Sequence, residues 1–267
     1  MAFESKLYTS RFLNDLDRRI VATQITNQDV TITGARTAEV WTANPLSAPA
    51  KNSDNSVNLQ TADGGSKTIA MDQEHDLSVG IPSVEEFQSS VNMQQKFRGR
   101  QLQASEEVVD DYILGRYPDA GTTITSTATT AEGVADKLRE AKVALSDKNV
   151  PRSNRYAVLS PFYADKVSEA AGNEMRVNSD IVAEGYVGRY QGFDIFESTG
   201  IVEDSGKQKC MFGHVDAISM ARQIEDLVLI PSAENGTYHG DILKGLLVFG
   251  AKTFLPDALG VLDFDTP

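Results

Sequence analysis

Apolar side chains recur at helical spacing through residues 93–114, and they form one stripe along a predicted helix. Its members are Phe97, Leu102, Ala104, Val108, Val109, Tyr112 and Ile113. The segment contains no proline, and Gly115 is well placed to end the helix. A helix of this length would extend about 33 Å at 1.5 Å per residue. Upstream, Ser83 followed three residues later by Glu86 matches the capping box that can begin a helix.

A second helix is predicted after a Thr-rich stretch, residues 121–130, that suits a strand or a loop. Thr129 and Glu132 have the spacing of a capping box, and Asn149 and Pro151 end the pattern. The apolar positions that follow the helical period are Val134, Leu138, Ala141 and Leu145. A third helix is predicted to begin at Ser160-Pro161, run through residue 170 and stop at Gly172.

Several segments alternate as strands do or are rich in β-branched residues. They are residues 30–41, 67–79, 155–159, 185–198, 209–213, 224–230 and 243–254. Gly245 and Gly250 are predicted bulges or sites of close backbone approach, and residues 215–222 are interpreted as helical. Helices and strands mix without strict alternation, so the predicted class is α+β.

A polar segment, residues 44–68, interrupts this pattern, and Leu46, Val57 and Leu59 are its only large apolar residues. Connections in compact domains usually run about 4–6 residues, and much longer ones are mostly functional or disordered. The strand-like runs on either side make the region resemble one long two-stranded excursion. We therefore predict that this loop finds its partners outside its own subunit.

The N-terminal segment, residues 4–30, mixes charges with scattered apolar residues. Leu13, Leu16 and Ile20 have the spacing of a short amphipathic helix. The segment is predicted to be an arm with one apolar side.

The long helix also carries an acidic cluster, formed by Glu106, Glu107, Asp110 and Asp111. Like charges at i,i+4 cost about 0.2–0.5 kcal/mol per pair. Two interpretations are open: the cluster is a solvated face, or it receives basic residues of a neighbouring subunit. The available basic residues are Arg11, Arg18 and Arg19.

Composition narrows the class of protein to which the chain can belong. The 267 residues are 40% hydrophobic and carry a net charge of −13, and no basic cluster of the kind that binds a nucleic-acid backbone is present. Apolar runs fall far short of the ~20 residues of a membrane span, and the N-terminus lacks a secretion signal, so we expect a cytoplasmic protein. Cys210 is the single cysteine, which excludes an internal disulfide and suggests a buried apolar position.

Several segments resemble known catalytic or nucleotide-binding motifs, but each lacks a feature that the motif requires. The glycines at 185, 188 and 192 do not fit a dinucleotide fingerprint, and residues 64–68 lack the Gly-Lys of a phosphate-binding loop. Phe196 replaces the first glycine of a nucleophile elbow around Ser198. His75 lies between Glu74 and Asp76, whose side chains point to the opposite face of a strand from its own. We predict no catalytic residue, cofactor or metal site.

Three segments in order carry a family resemblance: VPRSNRYAVLSP at 150–161, GYVGRYQGFDIFES at 185–198 and KGLLVFGAKTFLP at 244–256. Together with the long loop and long helix upstream, they resemble the major capsid proteins of tailed bacteriophages, with the Hong-Kong-97-type fold. The resemblance covers most of the chain.

The resemblance implies a domain plan. Residues 1–30 would be an N-terminal arm and 31–71 an extended two-stranded loop. Residues 72–150 would be a peripheral domain with the spine helix at 93–114. Residues 151–239 would be an axial domain, and residues 240–267 would return to the peripheral domain.

The resemblance also implies function. The chain would assemble through pentamers and hexamers into the icosahedral head shell that encloses phage DNA, in the host cytoplasm and then in the virion. Its partners would be itself, a separate scaffolding protein, a portal and in some systems a decoration protein, with no membrane and no sequence-specific DNA contact. The residues expected between subunits are Phe12, Leu13, Leu16, Arg18, Arg19, Trp41, Leu46, Val57, Leu59, Glu106, Glu107, Asp110 and Asp111. The alternatives are an encapsulin-like cellular nanocompartment shell, a phage tail subunit and a soluble hydrolase.

Overall fold

The computed structural model describes residue 18 and residues 20–34, 36–43, 64–82, 91–171, 186–231 and 240–266. Helices and strands are mixed in this part of the chain, as the α+β prediction requires. The helices are α1 (Ala22–Ile25), α2 (Val91–Leu114), α3 (Ala131–Asp147) and α4 (Pro161–Ala171).

The strands, in chain order, are β1 (Thr31–Gly34), β2 (Thr37–Ala43), β3 (Gly64–Ala70), β4 (Gln73–Asp76), β5 (Val79–Pro82), β6 (Thr122–Ser126), β7 (Arg155–Leu159), β8 (Tyr186–Tyr190), β9 (Phe193–Glu197), β10 (Glu203–Asp204), β11 (Lys207–His214), β12 (Ile218–Ile230), β13 (Gly240–Thr253) and β14 (Leu259–Asp265). Within the described ranges they form three sheets. A three-stranded sheet has the order β1-β2-β3, and a seven-stranded sheet has the order β6-β14-β11-β7-β9-β8 with β10 beside β11. In a four-stranded sheet β13 pairs with β12 on one side and with β4 and β5 on the other.

The seven-stranded sheet is buried on both faces. Every residue of β7 is buried, and successive side chains point to opposite faces. Ala157 and Leu159 pack in a cluster with side chains of α3 and α4, whereas Tyr156 and Val158 pack in another cluster with α2 and β13. The sheet therefore lies between the α3–α4 layer and the layer that holds the long helix.

Helix α2 confirms the predicted long helix and its end. The backbone N–H of Gly115 donates to the carbonyl of Asp111 at 2.9 Å and closes the last turn. Val109 and Ile113 of the predicted stripe are buried, but Ala104 is exposed because it lies on the opposite side of the helix. The predicted cap at residues 83–86 and the side chain of Phe97 lie outside the described parts of the chain.

Helix α3 buries all four side chains that the helical spacing selected. Its N-cap is Thr130 and not Thr129, because the Thr130 hydroxyl accepts from the N–H of Gly133 at 3.3 Å. Glu132 therefore sits one position too early for a capping box. At the C-terminus Asn149 adopts a left-handed φ of 57°, and the N–H groups of Asn149 and Val150 bind the carbonyls of Ser146 and Leu145. This is a Schellman ending with asparagine in the position usually held by glycine.

Two predictions of local structure were wrong in part. The segment 185–198, interpreted as one strand, contains the hairpin of β8 and β9, whose two-residue turn places Gln191 and Gly192 at φ values of 50° and 90°. Residues 215–222, interpreted as helical, form one 3-10 turn at Val215–Ala217 and then enter β12. Pairing of β12 with β13, from Ile218 opposite Thr253 onward, favours the extended chain there.

The two glycines singled out in β13 have different surroundings. A Cβ atom at Gly250 would overlap the carbonyl of Ala70, so the predicted close backbone approach is confirmed there. Gly245 lies opposite a register shift in β12 between Glu225 and Val228, so the irregularity is in the partner strand. The carbonyl of Gly245 accepts from the N–H of Leu77 at 2.8 Å.

The seven-stranded sheet connects segments on both sides of residue 151, where the predicted plan separates a peripheral from an axial domain. β14 pairs with β6 on one side and with β11 on the other. Because β14 fills the gap between β6 and β11, these segments share one sheet and one hydrophobic core. The domain boundaries themselves stay a prediction.

Candidate functional site

The predicted two-stranded excursion is present as the hairpin of β2 and β3, which we call the extended hairpin. Its strands pair without a break from Thr37 opposite Ala70 to Ala43 opposite Gly64. β1 adds a third strand on the β2 side, with Thr31 opposite Glu39. The connection between Ala43 and Gly64, with Leu46, Val57 and Leu59, lies outside the described residues.

The half of the extended hairpin nearer its base packs against the body of the chain. Ala38 and Ile69 are buried in a small cluster with Ala221 and Val248 of the four-stranded sheet, and Val40 packs partly buried against it. Farther out, Trp41 is 72% exposed, and all of β1 is exposed. The hairpin therefore presents its tryptophan side chain to solvent in the isolated chain.

The second candidate region is the start of the described N-terminal chain, residues 20–27 together with Arg18, which we call the arm root. One guanidinium nitrogen of Arg18 donates to the carboxylate of Asp110 and the other donates to that of Asp111. Asp110 Oδ1 also accepts from the backbone N–H groups of Val21 and Ala22, at 3.0 and 2.8 Å. The arm root is thereby fixed to one turn of α2.

Asp110 is fully buried, whereas the side chain of Asp111 is 63% exposed. Burial raises the pKa of Asp110, while the hydrogen bond from Val21 and the charge of Arg18 oppose that change. Burial alone would lower the pKa of Arg18, but the hydrogen bond to Asp111 and the charge of Asp110 raise it overall. Three donors around one carboxyl group favour the ionised form, so Asp110 and Arg18 form an ion pair at neutral pH.

Three further contacts hold the arm root. Gln103 Nε2 of α2 donates to the carbonyl of Arg18 at 2.8 Å. The backbone of Asn27 forms a parallel bridge beside Ser219 at the start of β12. Gly200, in the loop after β9, lies so close to the Arg18 guanidinium that a Cβ atom there would overlap it.

The acidic cluster is not one surface. Asp110 is buried, so the solvated-face interpretation is wrong for that residue, and Arg18 of the same chain neutralises it. Glu107 accepts from Gln103 at 3.4 Å, and Glu106 lies 3.9 Å from Arg222 of β12. Both glutamates and Asp111 remain within reach of solvent. Phe12, Leu13, Leu16 and Arg19 lie outside the described residues, as does Arg11.

Sequence reasoning missed Gln103 and Gly200, as well as the two backbone donors at Val21 and Ala22. Gln103 is 85 residues from Arg18, and no local pattern connects residues at that separation. The available signal was the order of charges alone, with arginines ahead of a helix that carries paired carboxylates. The second interpretation of the acidic cluster took the arginine from a neighbouring subunit, whereas in the structure Arg18 of the same chain makes the contact.

Among the described residues, no three His, Cys, Asp or Glu side chains are grouped so that they could hold a metal ion. No described helix is both long enough and apolar enough to cross a membrane. Cys210 is fully buried, as predicted, and burial raises the pKa of its thiol to about 12.

Comparison with known proteins finds no match to the sequence and many matches to the structure. No protein-family model matches the chain, and no curated protein matches it. A capsid structure of the cyanophage P-SCSP1u superposes with a TM-score of 0.71 at 15% identity, covering 99% of this chain and 94% of the other. A structure from Mycobacterium phage Che8 gives 0.69 at 18% identity, covering 98% and 97%.

A third structure, the capsid of Ralstonia phage GP4, gives a TM-score of 0.67 at 10% identity, covering 100% of this chain and 98% of the other. The coverage is nearly complete in both directions, so the likeness concerns the whole architecture and not one shared motif. The chain therefore has the fold of tailed-phage capsid proteins.

Proposed function

We propose that this protein is a structural subunit of a phage head shell, which self-associates to enclose DNA and catalyses no reaction. The observation that carries the proposal is the full-length structural match to phage capsids, in both directions. Two features of the chain itself support it. The extended hairpin leaves Trp41 uncovered, and the arm root is fastened to the long helix.

In this proposal the extended hairpin lies across a neighbouring subunit. Residue pairs far from its base contribute little to the core of their own chain, since Ala38 and Ile69 are the buried ones among the described side chains of the paired strands. A tryptophan side chain that buries roughly 150–250 Å² at about 25 cal/mol per Å² gives a gross gain of several kcal/mol per contact. Many such contacts in a closed shell stabilise it although each one is weak.

The acidic composition fits a container for nucleic acid. A net charge of −13 disfavours adhesion of the subunit to a phosphate backbone. We propose no sequence-specific DNA contact. The predicted separate scaffolding protein, portal and decoration protein remain part of this proposal, as do pentamers and hexamers as the assembling units.

Electron microscopy of the overexpressed protein in negative stain tests the proposal. We expect assemblies with the curvature and hexamer–pentamer pattern of icosahedral shells, alone or with the scaffold of the same virus. Tubes or stacked rings would indicate a tail subunit instead. Shells that carry a cargo enzyme and lack DNA when isolated from native particles would favour a cellular nanocompartment.

A further inference from the structure

Arg18, in the arm root, makes a set of contacts that the capsid fold alone does not specify. The Arg18 side chain contacts Asp110 and Asp111 on α2 and lies against Gly200 after β9, while the Arg18 carbonyl binds Gln103 two turns earlier on α2. One residue thus links the N-terminal segment, the long helix and a loop of the seven-stranded sheet.

The groups around the Arg18 guanidinium favour a single orientation of that side chain. An arginine fork can bind two carboxylates at once in fixed directions, whereas the three donors of a lysine ammonium rotate and fix no such directions. Asp110 is buried, so its charge requires a permanent partner, and Arg18 together with two backbone N–H groups supplies it. The absence of a side chain at Gly200 leaves the space that the guanidinium occupies.

The opposite end of the arm root is also fixed. The backbone of Asn27 accepts from the N–H of Met220 at 3.0 Å and donates to the carbonyl of Ile218 at 2.9 Å. Between these two attachments Val21, Ala22 and Ile25 are fully buried. The arm root is therefore part of the body of the subunit.

We infer that Arg18 and Asp110 form a latch that fixes the point and direction in which the N-terminal arm leaves the body, and that shell closure requires this latch. The inference rests on the proposed shell function. Arg18 is a positioning residue in it: it fixes the first described residues of the chain against α2 and is not needed for the fold of the subunit's core.

Gly200→Ala tests the latch sterically, because it removes no charge and no hydrogen-bonding group. Its matched control is Gly99→Ala, since a Cβ atom at Gly99 meets nothing within 4 Å. Residue-resolved hydrogen exchange would follow the amides of Val21 and Ala22, which bind Asp110, with the amides of β7 and β11 reporting on the core. In the Gly200 variant we expect the first two to exchange at least about tenfold faster while the core is unchanged.

A double variant, Arg18→Gln with Asp110→Asn, gives a second test if the alanine disturbs the loop. It removes the buried charge together with its partner, and the amide that replaces the carboxylate keeps an oxygen for the two backbone donors. We expect a folded subunit with a wild-type core and few or no closed particles. Asp136→Asn, which removes an exposed ion pair with Arg139 on α3 and touches no part of the latch, should close shells normally.

Unchanged exchange at Val21 and Ala22 in Gly200→Ala would overturn the latch itself. Faster exchange with a normal yield of closed particles would overturn its role in assembly. A wild-type protein that forms no shells under any condition would instead count against the proposed function, and the exchange measurement would still decide whether the latch exists.

Discussion

Gly250 lies directly beneath the carbonyl of Ala70, closer than any side chain would allow. This contact seats the base of the extended hairpin on β13, the central strand of the four-stranded sheet. The flanking cation contacts reinforce the seat, since Lys67 and Lys252 lie 5.5 and 5.8 Å from the centre of the Phe254 ring. The hairpin therefore projects from a fixed base.

Replacing Gly250 with alanine should displace that base. The obstacle is a backbone carbonyl, which cannot rotate away as a flexible side chain could, so we expect a loss of about 1–3 kcal/mol in the free energy of unfolding. Urea denaturation measures it. Gly65→Ala, farther out on the same hairpin and with nothing within 4 Å of its Cβ, is the control. Equal midpoints for the two variants would show that the close approach has no energetic role.

Trp41→Ser should separate folding from assembly. Because Trp41 is 72% exposed, its replacement should change subunit stability by no more than about 0.5 kcal/mol. If a neighbouring subunit covers the side chain, loss of this contact should weaken association by about 2 kcal/mol or more per site. Sedimentation velocity compares the yield of particles with that of Val143→Ser, a substitution at an exposed valine of α3. Equal particle yields would exclude Trp41 from the interface.

The adjacent carboxylates of Asp110 and Asp111 on α2 should contribute very different amounts to the free energy of unfolding. Asp110→Ala leaves Arg18 and two backbone N–H groups without their buried acceptor, and we expect a loss of about 3–5 kcal/mol. Asp111→Ala removes only an exposed ion pair and should cost at most about 1 kcal/mol. Thermal or urea unfolding of the two variants side by side gives the comparison. Similar losses would mean that Asp110 is not buried in the folded subunit.

The thiol of Cys210 gives a pH test. Its pKa is about 12 in the folded chain and near 9 when unfolded, so the folded state holds the proton more tightly. The difference between the two pKa values stabilises the folded state. This stabilisation is fully present below the pKa of the unfolded thiol and falls by about 1.4 kcal/mol per pH unit above it, until the folded thiol also ionises. Between about pH 8 and pH 10.5 the stability advantage of wild type over Cys210→Ala should shrink by about 2 kcal/mol.

Denaturation at the two pH values measures that difference, and thiol alkylation provides an independent check. Native Cys210 should resist iodoacetamide at about pH 8.5, and the urea-unfolded chain should react. The same assay reports whether assembly-defective variants keep their core. Rapid alkylation of the native wild type would contradict the buried position of this side chain.

Local patterns predicted the helices well. The spacing of Val134, Leu138, Ala141 and Leu145 selected the buried face of α3, and Gly115 marked the end of α2, since both signals act within a few residues. The position of each strand within its sheet was harder to predict from the sequence. Nothing near residues 259–265 shows that they insert between β6 and β11, because strand pairing depends on residues far away along the chain.

Residues 218–222 illustrate the same limit. Their sequence permits a helix, and only β13, which pairs with them, makes them a strand. Within the acidic cluster, charge and spacing indicated a basic partner for Asp110. One interpretation took that partner from a neighbouring subunit, but Arg18 of the same chain supplies it, because the fold brings together residues that are far apart in the sequence. The paired strands of the extended hairpin were anticipated because the polar segment between them is long and its flanks alternate.

The extended hairpin also allows a deletion that separates folding from assembly. Ala43 and Gly64 are directly opposite each other, so residues 44–63 can be replaced by Asn-Gly, which suits a two-residue hairpin turn. The variant keeps both strands and the buried Ile69. We expect a folded subunit, with Cys210 still protected, that fails to close shells.

In the proposed function, single copies of this chain are incomplete and associate into shells. Electron microscopy of purified wild-type protein, with and without its scaffold and beside the 44–63 replacement, tests this proposal. We expect curved or closed particles built of hexamers and pentamers for wild type and none for the replacement. A wild-type protein that stays monomeric or forms one small oligomer in every condition would contradict it.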